Sequence, residues 1–192
     1  MSAADPLAER YEFGAALIEE AAALAKRYYE SQESLTVRSK GTQDVVSEAD
    51  TEVERLIRGA VEERFPEDAF FGEEFGHNDV EGAEAIWIVD PIDGTQPFLC
   101  ELSSWCVSIG FAWRGRLEMG FLAAPARDEI FLGRRGHGAT LNGRPIGVSS
   151  STSLDDGLLS IGMSPRIGPE EIVPIVDKLL RQGVVYYREG SG

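Results

Sequence analysis

Between Ser104 and Ala123, apolar residues occupy every second position, and that alternation limits the possible folds more than any other feature of the chain. Trp105, Val107, Ile109, Phe111 and Trp113 share one face of the first run, and Leu117, Met119, Phe121 and Ala123 share one face of the second, across an Arg-Gly-Arg turn. A period of two means strands, and two such runs joined so closely mean an antiparallel meander with one face to bury. The aromatics of that face are core before they are anything else. The meander needs a cover. The opening stretch supplies one, because Leu7, Tyr11, Ala15, Ile18, Ala22, Ala25 and Tyr29 recur at helical spacing, with Leu17, Ala21 and Leu24 widening the stripe.

A second helix is predicted over SEADTEVERLIRGAVEERFP, from Ser47 to Pro66. Ser47 is placed to cap it, Asp50 stands three residues on as in a capping box, and Val53, Leu56, Ile57, Ala60 and Val61 form the buried stripe. The short apolar runs AFFGEE and AIWIVD end in acids, which suits buried strands that deliver side chains at their carboxyl ends. Asn142-Gly143 is a hairpin signal. Further on, GPEEIVPIVDKLLRQG reads as a helix with Pro169 in its first turn and Gly183 at its end, followed by a strand-like VVYY. The Gly/Ser/Asp-rich stretch from Gly147 to Gly157 divides an α+β part over 1–147 from a shorter part over 148–192.

Composition narrows the function. The chain has 192 residues and a formal net charge of -15, which disfavours nucleic-acid binding, since affinity for phosphate backbones comes from Lys and Arg. Cys100 and Cys106 are too few for a disulfide framework, and no segment resembles a signal peptide, so a reduced, cytoplasmic setting is expected. No apolar run approaches the roughly 20 residues that span a bilayer, so no membrane partner is expected.

The acids that end structured segments carry the chemistry. Asp50 opens a helix, Glu73 and Glu74 follow one strand, and Asp90 and Asp93 follow another, within WIVDPIDGTQPF from Trp87 to Phe98. Pro91 is expected to force the chain out of its strand, so that the carboxylates of Asp90 and Asp93 turn toward one point. Two bare carboxylates in close approach repel, and one takes a proton unless a cation holds both ionised. Hard divalent cations such as Mg2+ take oxygen ligands of this kind, and no His or Cys set with zinc spacing competes. Gly94 lets the backbone approach closely, and a helix beginning at Thr95 would offer free N–H groups to a phosphate. An Asp-x-Asp-Gly-Thr phosphatase loop, with its nucleophilic first Asp, is ruled out by Pro91, which stands two residues before Asp93.

Four motifs together, DVVSEAD before a helix, GEE at Gly72 to Glu74, WIVDPIDGTQPF and GHGATLNGRPI, resemble the inositol monophosphatase family of Mg2+-dependent, lithium-sensitive phosphatases. The resemblance runs in register across nearly the whole chain. It implies a layered α/β fold, an α+β sandwich. It implies that Glu73, Asp90, Asp93 and the backbone carbonyl of Ile92 bind two or three Mg2+ ions, and that Asp50, Thr95 and Glu73 activate the attacking water. Asp93, Gly94 and Thr95 would hold the phosphate. The reaction implied is in-line hydrolysis of a small phosphomonoester with no phosphoenzyme, one ion activating water and another stabilising the leaving alkoxide. Inositol monophosphate is the first expectation. Histidinol phosphate, fructose 1,6-bisphosphate and 3'-phosphoadenosine 5'-phosphate are its rivals, and a non-catalytic metal-binding or protein-interaction module is the alternative of another class. A homodimer is implied by the resemblance alone.

Three departures from the family pattern stand out. A further Asp ligand, in a downstream Trp-Asp motif, has no counterpart before Gly192, so the carboxy-terminal part reads as truncated. Pro97 stands where Asn is common. The basic residue expected ahead of DVVSEAD is either Arg38 or Lys40.

Overall fold

The computed structural model describes residues 5–31, 36–41, 44–78, 80–154, 156–162 and 167–188, with backbone alone for 6, 37–41, 44–46, 77–78 and 188. The side chains of Arg38 and Lys40 therefore lie outside the described residues, as does the terminal segment 189–192. The chain divides into two compact units, Met1–Gly147 and Val148–Gly192.

In the first unit, α1 (Pro6–Glu30) starts where the Asp5 carboxylate accepts from the Leu7 amide at 3.0 Å. A hairpin of β1 (Val37–Gly41) and β2 (Asp44–Ser47) leads directly into α2 (Glu48–Arg64). Then come β3 (Ala69–Gly72), β4 (His77–Asn78), β5 (Ala85–Asp93), the short α3 (Thr95–Leu99), β6 (Cys106–Trp113), β7 (Arg116–Ala124), a 3-10 turn at Pro125–Arg127, β8 (Glu129–Arg134), β9 (Gly138–Leu141) and β10 (Arg144–Ile146). Eight strands form one mixed sheet in the order β10-β9-β8-β7-β6-β5-β3-β4, parallel only between β3 and β5. The expected Asn142-Gly143 hairpin joins β9 and β10, with both residues at positive φ, +48° and +75°.

The two helices cover the face that the alternating residues present. Ile18 and Ala21 of α1 and Val53, Ile57 and Val61 of α2 are buried in one cluster with Trp87, Trp105, Val107, Ile109, Phe111, Met119 and Phe121. The helix α1 lies so close that an added Cβ at Gly14 would stand 2.5 Å from the Phe121 ring. Buried aromatic side chains dominate this core, with Trp87 stacked or tilted against Phe65, Phe111 and Phe121.

Two expectations are corrected by local register. Leu117, expected on the buried face of β7, is 55% exposed. Met119 pairs with Phe111 while Leu117 pairs with Ala112, so one extra residue of β7 turns Leu117 to the face of Ala112. The second concerns Pro91, which does not end its strand: β5 continues through it to Asp93.

In the second unit, β11 (Leu159–Ile161), α4 (Pro169–Arg181) and β12 (Tyr186–Arg188) make a crossover in which the two strands pair in parallel, Leu159 opposite Tyr186. The final strand begins two residues later than VVYY suggests, after Gly183 at φ +72° and a turn that bonds the Val184 amide to the Leu179 carbonyl at 3.1 Å. Among the described residues, no helix of the chain is long and apolar enough to cross a membrane.

Candidate active site

The amino end of α2 and the carboxyl end of β5 meet at the predicted residues. Asp50, in the first turn of α2, is 1% exposed. Its Oδ2 accepts from the Ser47 amide at 2.8 Å and the Ser47 hydroxyl at 2.5 Å, so the carboxylate does cap the helix. Its other oxygen, Oδ1, accepts from Thr95 Oγ1 at 3.1 Å. Burial raises the Asp50 pKa, and the hydrogen bonds from Ser47 and Thr95 oppose that rise. Thr95 Oγ1 also lies 3.2 Å from the Ile92 carbonyl, so a single hydroxyl proton faces two acceptors.

Asp90 and Asp93 are brought together by a bulge. Asp90 pairs with Ser108 and Asp93 with Cys106, three steps on β5 against two on β6. In a regular strand residues three apart point to opposite faces; one extra residue cancels that alternation and returns Asp93 to the face of Asp90. Pro91 suits the irregularity because it has no N–H to give to a ladder. Gly94 follows at φ +93°, a conformation that favours glycine, and reverses the chain into α3. The first bond of that helix runs from the Phe98 amide to the Gly94 carbonyl at 2.9 Å. Pro97 therefore sits where no helical hydrogen bond is lost, and its departure from the family pattern is compatible with the loop.

Glu73 lies just beyond β3 and is exposed. Because Gly72 pairs in parallel with Val89, the next residues along the two strands, Glu73 and Asp90, are neighbours. Burial, then the charges of Glu73 and Asp93, a hydrogen bond with Glu73 and the charge of Asp50 push the Asp90 carboxyl up to about 8. Asp90 Oδ1 is buried with no hydrogen-bond partner among the described residues. On the Asp93 side, the buried Cys106 thiol stands 3.8 Å from Oδ2 and donates to it.

Among the described residues, no three Asp, Glu, His or Cys side chains stand ready-made as a metal cage. The orphaned oxygen of Asp90 and the mutual repulsion of the carboxylates nevertheless fit a hard cation, which would replace the missing partner and hold the acids ionised.

Sequence reasoning missed Glu54 and Arg58. Glu54 is fully buried on α2, and its carboxylate accepts from the Glu74 amide at 2.7 Å and the Phe75 amide at 3.0 Å. The available signal was a charged residue four after Asp50, adjacent to Val53 in the buried stripe.

A profile of the inositol monophosphatase family matches residues 7–186, and the chain belongs to that family. Among its relatives is the Nus factor SuhB of Pseudomonas aeruginosa, 38% identical over 142 residues, 73% of this chain and 52% of that one. The histidinol-phosphatase of Chlorobaculum parvum is 39% identical over 134 residues, 70% of this chain and 51% of that one. The crystal structure of the extragenic suppressor protein suhB from Bartonella henselae superposes with a TM-score of 0.85 at 30% identity, covering 94% of this chain and 70% of that one. The chain thus spans about half the length of the two curated relatives named here, 52% and 51%.

Proposed function

We propose that the protein hydrolyses a small phosphate monoester with Mg2+, inositol monophosphate being the first candidate. The observation that carries this reading is the bulge that turns Asp90 and Asp93 to one face, next to the Asp50–Thr95 hydrogen bond. Glu73, Asp90, Asp93 and the Ile92 carbonyl would hold two or three Mg2+ ions, which when bound polarise the phosphate and acidify a water. Thr95, its hydroxyl set between Asp50 and the Ile92 carbonyl, orients that water, and Asp50 and Glu73 draw off its proton. The amides of Gly94 and Thr95, with Asp93 alongside, hold the phosphate where α3 begins. Asp50 contributes through position as much as charge, since Ser47 fixes one of its oxygens and leaves the other for Thr95.

Family membership supports the reaction class. Histidinol phosphate is the second substrate candidate because a histidinol-phosphatase is among the relatives. A different reading, a non-catalytic metal-binding or protein-interaction module, is favoured by the name Nus factor borne by another relative. A reduced cytoplasmic setting and a homodimer complete the proposal.

The test is phosphate release from a panel of phosphomonoesters by the 192-residue chain and by the product of the whole gene, with Mg2+, with and without lithium. Release that requires Mg2+ and disappears in Asp93→Asn is expected. No release by the whole gene product, or release undiminished by Asp93→Asn, would sink the enzyme in favour of the module.

A further inference from the structure

We propose that Glu54 and Arg58 of α2 are positioning residues that aim Glu73 at Asp90, an inference that rests on the metal centre of the proposed function. The helix α2 carries two buried carboxylates one turn apart. Asp50 grips Thr95, while Glu54 grips the loop that bears Glu73.

The grip is tight on both sides of Glu73. After it, the amides of Glu74 and Phe75 donate to the two Glu54 oxygens at 2.7 Å and 3.0 Å, a small backbone nest closed on an anion. Before it, Gly72 leaves room for the same carboxylate: an ideal Cβ there would stand 2.4 Å from Glu54 Cδ, so any side chain at 72 displaces Glu54. The loop is closed by the Gly72 amide, which donates to the Gly76 carbonyl at 3.1 Å. Arg58 completes it. One guanidinium nitrogen lies 3.5 Å from Glu54 Oε1 and donates to that Gly76 carbonyl at 2.9 Å, and the guanidinium carbon lies 4.5 Å from the centre of the Phe70 ring.

Glu54 touches neither Asp90 nor Thr95 in any described hydrogen bond, and a carboxylate 0% exposed must be matched by partners of comparable strength. Those partners are the backbone on one side of Glu73 and the cation that ties the end of its loop. Of the two adjacent acids, Glu74 has its amide bound to Glu54, and Glu73 is left to extend beside Asp90. Outer partners of this kind typically change metal affinity by about 10–100-fold when removed.

The experiment measures Mg2+ binding to the chain by calorimetry, independent of turnover, in Gly72→Ala, Glu54→Gln and Arg58→Lys. Gly72→Ala alters no charge and displaces Glu54; Arg58→Lys keeps the charge, leaves the Glu74 and Phe75 amides on Glu54, and loosens the ties to Gly76, Glu54 and Phe70. The first two are expected to weaken Mg2+ binding by about 10–100-fold, and the third by less. In a Glu73→Gln background, Gly72→Ala and Glu54→Gln are expected to change affinity by no more than about twofold, because their effect runs through Glu73. In the metal-free chain, the Glu74 and Phe75 amides exchange faster in the same variants. Wild-type affinity in Gly72→Ala and Arg58→Lys, or penalties that simply add to that of Glu73→Gln, overturns the positioning role. A wild-type chain that binds Mg2+ but releases no phosphate refutes hydrolysis alone, whereas one that binds no Mg2+ refutes the metal centre and this inference together.

Discussion

Asp50 and Asp90 are both mostly buried carboxylates at the same site, and they live under opposite conditions. Both oxygens of Asp50 are hydrogen-bonded, to Ser47 and to Thr95. Asp90 has one oxygen with no hydrogen-bond partner among the described residues, and three acidic neighbours, Glu73, Asp93 and Asp50. The first is a finished structural bond, to which the proposed function adds a chemical role. The second carries a cost, as repulsion when ionised or as proton uptake when not, which the remaining hydrophobic core tolerates and which the proposed cation would relieve. Buried polar groups are normally satisfied, so a native structure that leaves one unsatisfied beside like charges marks the place where function outweighs stability.

Neutralising the two residues separates these conditions. On the proposed mechanism, Asp90→Asn is expected to remove several kcal/mol of charge stabilisation at the metals, which at about tenfold per 1.36 kcal/mol is on the order of 10⁴-fold in kcat/KM. The same substitution should raise the melting temperature in EDTA above about pH 5, because Asn needs neither the proton nor the tolerated repulsion that the Asp90 carboxyl needs; a lower melting temperature would show that Asp90 is not strained. Asp50→Asn acts in the other direction on stability. It is expected to cost roughly 10²–10³-fold in kcat as a lost proton acceptor, and about 1 kcal/mol of folding free energy as a weakened cap. Its Mg2+ affinity should change little, which calorimetry checks.

The pH dependence follows from the raised pKa of Asp90. Its ordinary value is 3.8 and the fold pushes it to about 8, so the folded chain favours the protonated form. Its contribution to stability is complete below pH 3.8 and is lost as pH rises through about 8. Burial of Asp50 works in the same sense. Melting curves in EDTA should therefore fall between pH 5 and pH 8, and Mg2+ should flatten the fall; a profile unchanged by Mg2+ would contradict a cation at Asp90. The smallest effect expected is that of Cys106→Ala, about 1 kcal/mol or less in Mg2+ binding, because a thiol is a weak donor to Asp93 Oδ2.

Much of this was legible in order and period. The alternation from Trp105 to Phe111 placed the buried face of β6, and the apolar stripe from Val53 to Val61 placed α2 against the same core. Asp50 was legible twice, as a helix start and, through the family resemblance, as a partner of Thr95, and both roles appear in its hydrogen bonds. Leu117 was misplaced because a bulge is one residue of slip in the pairing of two strands, and a single strand carries no record of it. The same limit hides how Asp90 and Asp93 converge: in the sequence Pro91 looks like a turn out of the strand, and in the fold it is part of a bulge within it.

Sequence alone pointed to the class of chemistry proposed, through hard oxygen donors at the ends of structured segments, which suit a divalent cation and phosphate, and through the family resemblance that four motifs carry together. It determined the helices and the meander too, because side-chain period is a local property of the backbone. Only the tertiary structure decided which carboxylates are satisfied and which are strained, for that depends on partners distant along the chain. Thr95 reaches Asp50 across 45 residues and the Glu74 amide reaches Glu54 across 20, and no local pattern encodes a contact whose two halves are specified separately.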